Sequence, residues 1–178
     1  MRVITGKARG VQLKTPEGML TRPTADRVKE ALFSIINFDI PEARVLDLFG
    51  GTGQLGIEAL SRGAGQAVFV DAREDACNLI RENLRRTKLS GSVIRSDYMD
   101  YLARCTEQFR IIFLDPPYAE AYLENALKRI TEIDILQSDG IIVTERPVGK
   151  ELPWEFAGYQ RSKDYKYGKT LLAIYRKL

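Results

Sequence analysis

Between residues 43 and 145 the chain alternates short apolar runs with amphipathic stretches of longer period. "ARVLDLF" (43–49), "QAVFVD" (66–71), "GSVIRSD" (91–97), "FRIIFLD" (109–115) and "GIIVTE" (140–145) each predict a strand. Between them, "QLGIEALSRG" (54–63) predicts a helix closed by a glycine C-cap. "REDACNLIRENLRRTK" (73–88) places Ala76, Leu79, Ile80 and Leu84 at helical spacing, and "EAYLENALKRITEI" (120–133) predicts another helix. This βαβα order argues for an α/β fold with a mostly parallel sheet covered on both faces.

The ends read differently. "RVITGKARGVQLKTP" alternates with a β period, which predicts a small hairpin extension over residues 1–23. "TADRVKEALFSIIN" (24–37) follows as a helix with Thr24 as its expected N-cap. "GYQRSKDYKYGKTLLAIYRKL" reads as two strands around a turn at Gly168, an antiparallel hairpin closing one sheet edge. No internal repeat or low-complexity segment interrupts the chain, so 24–178 reads as one domain carrying the N-terminal extension.

Composition narrows the class. The longest apolar runs, "IIFL" and "LLAIY", are far too short to span a bilayer, and "MRVITGKARG" has no apolar core of a secretory signal. Cys77 and Cys105 lack ligand-like spacing and the chain has no histidine, so neither a metal site nor a histidine base is expected. A reduced, cytoplasmic, monomeric enzyme is the simplest reading. The net charge of +3 conceals an asymmetry: residues 1–30 carry +4, residues 146–178 carry +5, and the middle carries −6. A basic periphery around an acidic centre suits a polyanionic partner, with two solvated termini as the plain alternative.

Ligands of open α/β sheets bind beyond the carboxyl ends of the strands, and acids or glycine turns stand at four of those ends. In "DLFGGTGQLG" (47–56), Gly50, Gly51 and Gly53 follow the first strand at once, a turn that lets a ligand lie against bare backbone. Asp71, ending the next strand, can accept both hydroxyls of a ribose. Asp47 would repel a pyrophosphate at this turn but suits the ammonium of an amino acid, which favours S-adenosylmethionine over a nicotinamide dinucleotide. Asp97 can accept from an adenine amino group, with Tyr98 or Met99 flanking the ring, and can equally cap the helix that follows.

The fourth end is "DPPY" (115–118). Asp115 and the carbonyl of Pro116 can accept the two hydrogens of one exocyclic amine, holding its lone pair toward an electrophile. Pro117 stiffens the loop, and Tyr118 offers a face on which a flipped or unpaired base can stack. Glu145 and Arg146, at the end of the fifth strand, either line a base pocket or cap the strand.

These motifs resemble those of the class I S-adenosylmethionine-dependent methyltransferases that modify exocyclic amines. "TRPTADRVKEALFSII" (21–36), "LDLFGGTGQLGIEALSRGA" (46–64), "DPPY" and "YGKTLLAIYR" are similar to the RsmD-type family along nearly the whole chain. The resemblance implies a Rossmann-like, mostly parallel sheet of seven strands with an antiparallel terminal strand. It implies methylation of guanine N2 in small-subunit (16S) rRNA, at guanine 966, on naked RNA or on a ribonucleoprotein particle. Carried onto this sequence, Asp47, Phe49, Gly50, Gly51, Thr52, Gly53, Asp71, Asp97 and Tyr98 hold the cofactor. Asp115, Pro116, Pro117 and Tyr118 are catalytic. Arg2, Lys7, Arg9, Lys14, Arg22 and Arg27 meet RNA phosphates, which position a substrate without reading its sequence. The alternative is an N6-adenine methyltransferase acting on DNA or RNA, which uses the same amine-holding motif. A cytosine C5 enzyme needs a cysteine in the motif loop, where this chain has none.

Overall fold

The computed structural model describes residues 1–17, 23–117 and 121–178, with the backbone alone over 23–25. Helix α1 (Pro23–Ile35) opens on a proline, whose missing N–H costs nothing at a first helical position. The helix thus begins earlier than expected, so Thr24 is its second residue and not its N-cap; its side chain lies outside the described ones. There follow β1 (Arg44–Asp47), α2 (Gln54–Ser61), β2 (Gln66–Asp71), α3 (Glu74–Thr87), β3 (Ser92–Arg95), α4 (Tyr98–Arg104), β4 (Phe109–Leu114), α5 (Tyr122–Ile133) and β5 (Leu136–Pro147). The chain ends in β6 (Glu155–Phe156), β7 (Tyr159–Arg161), β8 (Tyr165–Tyr167) and β9 (Thr170–Lys177). None of the described helices is long and apolar enough to cross a membrane.

The strands form one sheet in the order β3-β2-β1-β4-β5-β9-β7-β6, with β8 also paired to β9. Strands β1 to β5 are parallel and β9 runs against β5, the reversed terminal strand that was expected. The count is nine instead of seven because the far edge is broken into short pieces. β7 and β8 flank different halves of β9, separated by Ser162–Asp164, where Asp164 binds two arginines. β5 is also longer than "GIIVTE", continuing back through an irregular register to Leu136.

Each sheet face has its own core. Val45, Phe69, Phe113 and Val143 pack with α1, α2 and α3; Leu46, Val70, Leu114 and Ile142 pack with α4 and α5. This alternation fixes which way each strand-end residue points. Helix α2 ends where the sequence says it should: Gly63, at φ 105, donates to Leu60 and Ala64 donates to Ala59, a Schellman ending that favours glycine.

The N-terminal hairpin has a single bridge pair, Arg2 with Gln12, beside the Val3–Val11 and Gly10–Val3 bonds. It shares the main core, since Val3, Ala8 and Leu13 are buried with the α1–α3 cluster. What fastens it is the carboxylate of Glu58, which is 0% exposed. Glu58 accepts from Ile4 N (2.9 Å), Thr5 N (3.0 Å) and Arg62 Nε (2.9 Å), and pairs with Lys29 Nζ at 3.6 Å. Burial pushes the Lys29 ammonium down and Glu58 opposes it, while Lys29 also donates to the Arg2 carbonyl. Removing Glu58 therefore strands a buried cation and two backbone donors. Glu58→Ala is expected to lose about 3–5 kcal/mol of stability in urea unfolding; a loss below about 1 kcal/mol would refute this role.

Candidate active site

The turn after β1 is closed by backbone bonds. Gly50 N donates to Val70 O of the next strand (2.8 Å) and Gly53 N to Gly50 O (2.7 Å). Gly51 and Gly53 sit at φ 55 and 79, where a side chain is strained. At Gly56 the requirement is packing, because a Cβ there would lie 2.3 Å from Cε1 of Phe69. A Cβ at Gly50 would crowd the tip of Ile80 at 2.7 Å, which a flexible side chain can yield, and would touch Val70 O at an ordinary 3.4 Å.

Three acids at the strand ends are held by backbone N–H groups of the segment that follows and, for Asp71, also of the glycine turn. Asp47 is buried and its Oδ2 accepts from Gly56 N at 3.1 Å. Burial drives its carboxyl up to about 7; the Gly56 bond opposes this and Asp71 adds to it. Asp71 accepts from Gly51 N through Oδ2 and from Arg73 N through Oδ1, both at 2.9 Å. Asp97 Oδ1 caps α4, accepting from Met99 N (2.8 Å) and Asp100 N (3.3 Å).

Between Asp71, Asp97 and Asp115 lies a cleft of about 520 Å³. Its apolar wall is three rings: Phe49 to Tyr98 at 5.1 Å, Tyr98 edge-on to Tyr122 at 5.4 Å, and Phe49 to Tyr122 at 6.2 Å. Asp115, Pro116 and Pro117 form part of the same wall. Burial pushes the Asp115 carboxyl well above the ordinary range, and the charges of Glu145 and then Asp47 push it further. The register explains this company: Leu114 pairs with Thr144 and Phe113 with both Val143 and Asp47, so Asp115 and Glu145 are side-by-side continuations of adjacent strands.

Of the residues expected at the cofactor, Phe49, Gly51, Asp71, Asp97 and Tyr98 line the cleft. Asp47, Gly50, Thr52 and Gly53 do not; they lie in or behind the turn and give it shape, since so tight a loop turns most of its residues away from the ligand side. Tyr118 and Arg22 lie outside the described residues. Among the expected RNA contacts, Lys14 sits beside the glycine turn, because Asn83 binds both Lys14 N and the Thr52 carbonyl. Arg2 faces Asp26 of α1 at 3.6 Å, and Arg27 is exposed on the same helix. Lys7 and Arg9 are elsewhere. Lys7 N binds Ser61 O at the far end of α2, about 12 Å of helix from the turn, because the hairpin runs along that helix. Tyr122 went unread in the sequence; its only signal was an aromatic at the start of the helix after "DPPY". Arg73 and Ser96 in the rim gave no signal at all.

This sheet order, with its reversed strand beyond β5 and its cleft at the carboxyl ends of β1, β2, β3 and β4, is that of a Rossmann-like class I methyltransferase. The chain belongs to the family described as conserved hypothetical protein 95, the RsmD family, whose model matches residues 1–176. It is 42% identical to YlbH of Bacillus subtilis, a candidate rRNA methyltransferase, over 99% of both chains. It is 32% identical to ribosomal RNA small subunit methyltransferase D of Escherichia coli, over 99% of this chain and 90% of that one. The solved structure of the candidate methyltransferase YhhF from E. coli superposes with a TM-score of 0.89 at 32% identity, covering 99% and 97% of the two chains.

A carboxyl raised from 3.8 to about 7 binds more protons folded than unfolded between those pH values. The ligand-free protein therefore loses stability at Asp47 as pH rises from about 4 to about 7, and the loss is complete above 7. Asp47→Asn keeps an acceptor for Gly56 and removes the ionisation. Its gain over the wild type is expected to be near zero at pH 4 and to approach, as an upper bound, about 4 kcal/mol at pH 8. Melting curves at the two pH values check this; an equal effect at both would refute it.

Proposed function

We propose that this chain transfers a methyl group from S-adenosylmethionine to the exocyclic N2 of a guanine in small-subunit rRNA, with guanine 966 as the position implied by the family. The observation that carries the reading is the wall shared by the Asp115–Pro117 segment and the cleft below the glycine turn. That shared wall supports an amine-holding group acting beside the bound cofactor.

The cleft suits the cofactor by its own chemistry. Its rings offer stacking surface for adenine, Asp71 suits ribose hydroxyls, and Asp97 suits the adenine amine. A Cβ at Gly51 would meet only Phe49 O, at 3.9 Å, so this backbone is open to a ligand. Asp47 lies beneath the turn with its carboxyl pushed up to about 7 by burial, and an ammonium bound at the turn would draw it to the charged form; Asp71 and Asp97 in the lining disfavour a pyrophosphate. Bound S-adenosylmethionine would supply an electrophilic methyl on a cationic sulfur.

The chain's own groups do the rest. Asp115 Oδ and the Pro116 carbonyl accept the two amine hydrogens, which keeps the nitrogen lone pair out of the ring and aimed at the methyl. As the nitrogen bonds carbon it becomes acidic, and its proton leaves to Asp115 or water. The nearby carboxylates that raise Asp115 also make it a better proton acceptor. Lys14 beside the glycine turn, with Arg2 and Arg27 at α1, holds the RNA backbone. The enzyme acts as a cytoplasmic monomer on rRNA, free or in a small-subunit particle.

The test is transfer of labelled methyl from S-adenosylmethionine to small-subunit RNA and particles from cells lacking the gene. The expected product is N2-methylguanosine. Asp115→Asn is expected to lower kcat about 10²- to 10³-fold with cofactor Kd nearly unchanged. Label recovered as N6-methyladenosine would instead select the adenine reading.

A further inference from the structure

In the chemistry described above Glu145 acts only through its charge on Asp115, yet it occupies a position next to that residue. Resting on the methyl-transfer reading, we infer that Glu145 is the residue that selects guanine, accepting the N1–H of the target base while Asp115 and Pro116 hold its N2 amine.

The placement comes from the sheet. β4 and β5 pair in register up to Leu114 and Thr144, so Asp115 and Glu145 are the next residues on neighbouring parallel strands. Phe113 and Val143 point to the α1–α3 face, and the pleat repeats every second residue, which carries both acids to that side. Parallel neighbours are about 4.8 Å apart. Glu145 cannot drift from this place. Its backbone is within the β5–β9 ladder opposite Leu172. The next residue, Arg146, is fully buried on the other face, with Nε donating to Lys150 O and Nη2 to Asp164, both at 2.7 Å.

Two carboxylates side by side repel unless donors stand between them. The Watson–Crick edge of guanine presents three adjacent N–H bonds, two on N2 and one on N1. Asp115 and the Pro116 carbonyl take the amine pair, and Glu145 takes the third. Adenine presents its amine beside a bare N1 lone pair, which would face the Glu145 carboxylate and be repelled. A site built to accept a substrate N–H rejects an analogue lacking it far more strongly than a hydrophobic pocket rejects a change in size. Glu145 is therefore a specificity residue that touches the substrate, and its presence argues for N2 of guanine over N6 of adenine.

The test swaps the hydrogen-bond polarity on both sides. Small-subunit RNA is prepared with guanine or 2-aminopurine at the target position; 2-aminopurine keeps the N2 amine but has a lone pair at N1. The wild type is expected to favour guanine by at least about 10²-fold in kcat/KM. Glu145→Gln can turn its amide N–H₂ toward N1, so it should methylate 2-aminopurine better than the wild type does and move the ratio toward 2-aminopurine by at least about 10²-fold. Glu145→Ala should lose guanine activity without that gain. Unchanged cofactor Kd in both variants establishes that the fold is intact. A guanine to 2-aminopurine ratio unmoved by Glu145→Gln, with the wild type still making N2-methylguanosine, overturns this inference and leaves the methyl-transfer reading standing. A wild type that methylates no guanine at N2 overturns both.

Discussion

The in-register parallel pairing of β1, β4 and β5 is the constraint on which the site depends. Val45 pairs with Ile111 and Asp47 with Phe113; Phe113 and Leu114 pair in turn with Val143 and Thr144. Because β1 and β4 stop at nearly one level while β5 runs on beside them, Asp115 comes to stand next to Glu145 without any long loop to carry it there. The pleat then decides which acids face each other. A slip of one residue in β4 would send Asp115 to the α4–α5 face and bury Phe113 against the wrong helices. Core packing on both faces enforces the register, and the register enforces the active-site geometry.

The arrangement sets stability against function. Asp47, Asp71 and Asp97 each accept N–H bonds from the turn or helix that follows, so much of their charge is met by backbone that the fold needs anyway. Asp115 is met by Glu145 and Asp47, both of its own sign. A carboxyl pushed up by burial and by like charges is a cost to the folded chain, as the proposed catalytic role of Asp115 would require. The glycine turn adds backbone strain that only its glycines relieve, at Gly51 and Gly53.

Much of this was legible in the sequence, for identifiable reasons. Strands buried on both faces leave unbroken apolar runs, so β2 and β4 were found to within a residue, and acids directly after such runs mark ligand positions. What was not legible depends on contacts distant in sequence. Nothing local in "LGIEALS" says that Glu58 is buried, since its partners are residues 4, 5 and 29 and only Arg62 lies nearby. Charge alone groups Lys7 and Arg9 with Lys14, whereas the hairpin's path along α2 parts Lys7 from it. The far edge was read as one hairpin because Asp164, which helps separate β7 from β8, finds its arginines only in three dimensions.

Those arginines show how a site on one face of a strand relies on the other. Arg146 and Arg161 are nearly inaccessible and share Asp164, and Arg161 lies 4.2 Å from the Trp154 ring. Two cations on one carboxylate are a poor route to stability, and an apolar cluster of equal volume would serve that end as well or better. What the arrangement supplies is direction. The guanidinium of Arg146 reaches the carbonyl of Lys150 and the side chain of Asp164, tying the segment after β5 and the segment before β8 to one point. Leu152 and the Tyr175 bond to the Pro153 carbonyl close the same segment from the core side. The end of β5 is thereby fixed from behind, while Glu145 is presented in front. A carboxylate that is to discriminate between bases, the role inferred for Glu145, must be held to a fraction of an ångström, and a directional network achieves this where an apolar contact would permit sliding.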